Sequence, residues 1–147
     1  MNPFRHPSRR LVLAAPLTLA AVEARAHSYR FGELMIGHAW CLPSAGPTTQ
    51  AMMPLAVSGG RGDVLVEATT PVAEAVALVP DPRRPPVRRW PIAASRPVAM
   101  RPDGPHLLLT GLKRALAAGE RVPLTLSFEA AGMRQVELWV ERAPYAG

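Results

Sequence analysis

Proline and glycine interrupt this chain roughly every 8 to 12 residues, and no long amphipathic helix fits between the interruptions. The 147 residues include 17 prolines and 11 glycines. Short segments of alternating apolar and polar residues lie between these breaks, which predicts an all-β sandwich or barrel. Strands are expected at Phe31–Ile36, Ala51–Ser58, Val64–Ala68, Val72–Val79, Val87–Ala93, Pro97–Met100 and His106–Thr110. The last two strands alternate most clearly. Leu124, Leu126 and Phe128 point one way, and Thr125, Ser127 and Glu129 the other. Val136, Leu138 and Val140 repeat the scheme against Glu137, Trp139 and Glu141. Such alternation marks half-buried antiparallel strands. Leu112–Ala118 is read as one short helical turn. No internal repeat and no second domain is evident.

The N-terminus has a different grammar. Arg5, Arg9 and Arg10 precede an apolar run from Leu11 to Val22, and Ala24-Arg25-Ala26 supplies an A-x-A cleavage site. This is the pattern of a secretory signal peptide, residues 1–26, and the run is shorter than the ~20 residues of a transmembrane span. Ser8-Arg9-Arg10-Leu11-Val12-Leu13 also approximates a twin-arginine signal, so the export route is open between the two. The mature domain is then 27–147, an exported, periplasmic protein with no membrane span.

Removing the leader takes four of the 17 basic and one of the 11 acidic residues, so the mature net charge is +3, not +6. The one dense basic cluster is Arg83, Arg84, Arg88 and Arg89. Interleaved with Pro82, Pro85 and Pro86, it reads as a solvated loop; a docking surface for an acidic partner or a membrane is the alternative. Neither aromatic interleaving nor a recognition helix points to nucleic acid. The single cysteine, Cys41, excludes an intramolecular disulfide. It is read as a half-buried thiol beside Trp40, against the alternatives of a copper ligand or a dimer-forming thiol. No His-Glu-x-x-His, Gly-x-Ser-x-Gly or phosphate-binding glycine loop occurs, so nothing recommends an enzyme.

Four segments, in order, resemble the periplasmic copper chaperones that serve the CuA centre of cytochrome oxidase, the PCu(A)C family. Gly32-Glu33-Leu34-Met35-Ile36-Gly37-His38-Ala39-Trp40 is similar to the family's "GDLxIxHPW". Thr70-Pro71-Val72-Ala73-Glu74 is similar to its "SPVA" segment. Met100 to Leu109 is similar to "LKPGGYHLML", and Leu124 to Gly132 to "LTLTFEKAG". The resemblance implies a single-domain, cupredoxin-like antiparallel β-sandwich. It implies copper as cargo, passed without catalysis to a cytochrome oxidase assembly protein or another copper acceptor.

The family's metal ligands are two histidines and two methionines. The last pair is His-x-Met, whose side chains share one strand face and bind Cu(I) through nitrogen and sulfur. Here His106 persists, but Leu108 replaces the methionine. Counting from Pro71 puts Val79 where the resemblance implies the first histidine. The stretch Val87-Arg88-Arg89-Trp90 has no methionine, and Arg89 would repel a cation there. His106 is thus the one family ligand retained, with a structural role as its alternative. Cleavage after Ala26 would make His27 the first residue, and an α-amino group with its own imidazole can chelate Cu(II). Cys41, Met35, His38 and one of Met52 and Met53 could form a substitute site only if folding gathers them. Adjacent on a strand, Met52 and Met53 face opposite sides, one toward the core and one free to be exposed. The alternative function is a metal-free interaction module that docks through the arginine loop.

Overall fold

The computed structural model describes residues 28–142. Their architecture is twelve strands, with no helix among the described residues: β1 Tyr29–Phe31, β2 Leu34–Ile36, β3 Trp40–Cys41, β4 Thr48–Met52, β5 Pro54–Val57, β6 Asp63–Thr69, β7 Ala73–Val79, β8 Trp90–Ile92, β9 Val98–Ala99, β10 His106–Leu112, β11 Arg121–Phe128 and β12 Gly132–Val140. They form a four-stranded sheet ordered β1-β2-β5-β9 and an eight-stranded sheet ordered β7-β10-β4-β3-β12-β11-β6-β8. A backbone bridge between Leu78 on β7 and Val87, just before β8, joins the two ends of the larger sheet. The result is the barrel-like, cupredoxin-like sandwich that the punctuation and the resemblance imply.

Alternation builds the core. Leu124, Leu126 and Phe128 of β11 are buried, as are Val136, Leu138 and Val140 of β12, as expected from the sequence. They pack with Leu34, Ile36, Leu65, Trp90, Ile92, Leu107 and Leu109 in one cluster. Each such side chain contributes roughly 1.5–3 kcal/mol by leaving water. The turn joining β11 to β12 is clasped from below by Asp63. Its Oδ1 accepts from Val64 N at 2.7 Å and Ala130 N at 2.8 Å, and its Oδ2 from Ala131 N at 3.0 Å.

Some elements differ from the sequence reading. Phe31–Ile36 is not one strand but a hairpin, β1 and β2, because Gly32 turns the chain at φ 59°. Leu112–Ala118 forms no helical turn. Leu116 is buried and exchanges hydrogen bonds of 2.9 and 3.0 Å with Ser44, which commits its backbone to an extended bridge. The two-residue strand β3 was not read from the sequence at all. It lies beside β12 in a parallel pair, Trp40 against Trp139, whereas every other strand pairing is antiparallel.

Candidate metal centre

His106 opens β10, which runs between β7 and β4. Val79 stands directly opposite it on β7. Along β10 the core takes Leu107 and Leu109, so His106 and Leu108 share the other face. Leu108 lies between Ala77 of β7 and Gln50 of β4. The sequence positions that the resemblance aligns with the first histidine and the last histidine-methionine pair, Val79, His106 and Leu108, are therefore neighbours in one sheet.

The ring of His106 is buried, only 5% exposed, and is fixed in orientation. Its Nδ1 lies 2.7 Å from the carbonyl oxygen of Gly104. A carbonyl only accepts, so Nδ1 carries a proton, and Nε2 is the ring nitrogen left to offer a lone pair. This is how a histidine is set up to ligate a metal.

The Gly104 carbonyl is itself positioned. Arg101 N donates to Pro105 O at 2.9 Å and Gly104 N to Arg101 O at 3.1 Å, closing a tight loop. Gln50 of β4 grips the loop's tip. Its amide nitrogen donates to Asp103 Oδ1 at 3.1 Å, and its amide oxygen accepts from Asp103 N at 2.9 Å. Asp103 adopts φ 59°, a left-handed conformation that Asp tolerates better than most residues. A Cβ on the buried Gly104 would come within 2.6 Å of the Arg101 side chain, so glycine suits that position.

Met52 is the residue that the sequence reading underused. Ala51, its neighbour on β4, enters the core cluster whereas Met52 does not, so Met52 points to the opposite face, with Gln50. It is nevertheless completely buried, as is Met53, and neither methionine is exposed. The pairing Leu107↔Ala51, extended one residue, sets Met52 across from His106. On its far side Met52 faces Trp40 of β3. The strand alternation of Met52 was legible in the sequence, but its partner across the sheet was not.

The remaining candidates are placed elsewhere. Cys41 is wholly buried in the core rather than half-buried, and burial, with the charges of Glu120 and Glu141 behind it, pushes its thiol up to about 12. A protonated core thiol is a poor ligand. His38 directs Nε2 at both oxygens of Glu141, each 3.1 Å away, and its ring tilts against Trp139 with centroids 5.9 Å apart. Met35 lies on β2 of the smaller sheet and is 40% exposed. The Arg89 guanidinium is held by Glu129, at the end of β11, so its charge is directed there rather than at His106. Arg83 folds back on Asp81 at 3.0 Å, and its hydrogen bonds hold the Asp81 carboxyl below its usual range. Arg84 and Arg88 are exposed, as a solvated loop requires. His27 lies outside the described residues. Among those residues no three His, Cys, Asp or Glu side chains gather as a metal site, and no helix is long and apolar enough to cross a membrane.

The fold is shared with solved structures. The copper-bound PCuAC domain from PmoF2 superposes with a TM-score of 0.71 at 24% identity, over 78% of this chain and 97% of that one. The apo PmoF2 PCuAC domain gives 0.72 at 24% identity, over 80% and 97%. The solution structure of CuI-DR1885 from Deinococcus radiodurans gives 0.61 at 27% identity, over 85% and 87%. No curated protein sequence matches the chain. The family model described as "Putative lipoprotein LpqE-like" matches residues 34–140. With that match spanning both sheets and PCuAC domains as its structural neighbours, the chain belongs to the LpqE-like family, a PCuAC-related family.

Proposed function

We propose that this protein is an exported, copper-chaperone-like domain that holds Cu(I) reversibly, with His106 as the anchoring ligand, and catalyses no reaction. The observation that carries this reading is the His106 ring. Its Nδ1 is tied to Gly104 O, and its Nε2 is left as the donor beside Val79 and Leu108. Copper-bound relatives of the same fold support the choice of cargo. The tripartite leader supports export to the periplasm. Delivery toward cytochrome oxidase assembly, through a partner protein, is the pathway the family resemblance supports.

The donor set fits Cu(I) only in part. Val79 and Leu108 are apolar at two positions beside His106, so affinity falls well below that of a two-histidine, two-methionine site. His27, with the α-amino group freed by cleavage, is a separate Cu(II) chelate in this reading. The same apolar positions favour a second reading, a metal-free module that docks through the exposed Arg84 and Arg88.

A Cu(I) titration against a chromophoric chelator separates the two. Stoichiometric binding that His106→Ala abolishes supports the chaperone reading. No binding by the wild-type protein overturns it and leaves the docking module.

A further inference from the structure

Building on His106 as a Cu(I) ligand, we infer that Met52 supplies the thioether missing at position 108, so that the metal is held across two strands rather than along one. Alternation along β4 points Met52 away from the core cluster that Ala51 joins, to the face that His106 occupies. Continued one residue beyond the Leu107–Ala51 pair, the β10–β4 register sets the two residues opposite each other. Opposed residues of antiparallel strands have Cβ atoms about 4.5–5.5 Å apart, a gap that one ion can bridge between an imidazole and a thioether.

The surroundings of Met52 fit this role. A methionine facing outward from a sheet is ordinarily exposed, but this one is 0% exposed. Trp40 stands opposite it on the other neighbouring strand, β3, so Met52 lies between Trp40 and His106 in the sheet. Val79, 6% exposed, walls the far side of the imidazole. The pocket is thus one nitrogen and one sulfur donor enclosed by apolar groups. That pairing suits soft, low-coordinate Cu(I) and disfavours cations that need several oxygen ligands. Leu108, two residues from His106 on the same face, is half-buried.

The test uses protein carrying His27→Ala, which removes the terminal chelate. Cu(I) is added under reductant against a chromophoric chelator, while carbon-13 methyl signals of the methionines are followed by NMR. One Cu(I) is expected to bind, and the Met52 methyl signal is expected to shift while the signals of Met35, Met53, Met100 and Met133 stay near their apo positions. Met52→Leu nearly conserves volume and is expected to keep the fold while weakening Cu(I) binding at least tenfold. If Cu(I) binds through His106 but the Met52 methyl does not move and Met52→Leu binds as tightly as its parent, the cross-strand site is wrong and the proposed function stands. If no Cu(I) binds, both fall. If Met52→Leu does not fold, the methyl shifts of the parent protein decide alone.

Discussion

Gln50 and Asp103 are joined by two reciprocal hydrogen bonds across 53 residues of sequence, one from each end of the Gln50 amide. Through Asp103 they fix the loop whose Gly104 carbonyl orients His106. The loop bonds the ring at Nδ1, so it acts on the candidate metal centre by positioning.

Gln50→Ala is therefore expected to cost about 1–2 kcal/mol, since an intramolecular hydrogen bond nets roughly 0.5–1.5 kcal/mol and exposure offsets the extra strength of the one to the Asp103 carboxylate. Amide hydrogen exchange at Gly104 is expected to accelerate more than exchange in β11 and β12. A uniform change across all strands would mean that the clasp contributes to global stability and not to the loop.

Restoring the family ligands is expected to restore tight binding. Val79 is the cross-strand partner of His106, and Leu108 is two residues along the same face. The double variant Val79→His, Leu108→Met thus places two imidazoles and a thioether together. Leu108→Met costs less than about 1.5 kcal/mol, and an unpartnered imidazole at 79 costs about 1–3 kcal/mol. The apo protein is expected to melt below wild type and to rise in Tm with Cu(I), because the metal binds only the folded state. Adding Arg89→Met is expected to change little, since Arg89 is engaged with Glu129. A copper-independent Tm in the double variant would show that these positions do not converge on one ion.

Cys41 sets a pH dependence. Its thiol is raised to about 12 in the folded protein by burial, against an ordinary value of 9.0. The unfolded chain loses this proton first, so stability is whole below about pH 9 and falls between there and about pH 12, with a slope of at most about 1.4 kcal/mol per pH unit. Urea midpoints measured across this range are expected to fall less steeply for Cys41→Ala than for wild type. Native protein is also expected to resist alkylation by iodoacetamide until it unfolds.

The leader makes a prediction of mass. Protein recovered from the periplasm is expected to begin at His27 and to lack the first 26 residues. A full-length mass in the soluble fraction would contradict the signal-peptide reading.

Much of the fold was legible because alternation and turn chemistry are local. β11 and β12 follow directly from their leucines and valines, and β10 from the run that begins at His106. What was not legible depends on pairing between distant strands. β3 is two residues long and has no periodicity to detect. The bridge that keeps Leu116 extended involves Ser44, 72 positions earlier. The same holds for the candidate site. His106 could be singled out from its segment, and Val79 by counting, but Met52 gained meaning only when β4 was set against β10. The charge expected of Arg89 at the site went elsewhere because Glu129 lies within its reach.

The parallel contact between β3 and β12 also orders events in time. β12 stands between β3 and β11, so until it docks the larger sheet is an open strip with free edges at β3 and β11, held together at its other ends by the Leu78–Val87 bridge. Trp40 must wait for Trp139, which follows it by 99 residues in the chain, before the gap at the middle of the sheet can close. Such distant pairings make folding slow. A chain released only up to residue 132 therefore already has β7, β10 and β4, which carry Val79, His106 and Met52, while the sheet to which they belong is still open at β3. Closing the larger sheet is thus left to the C-terminal strand, the last part of the sheet to be made.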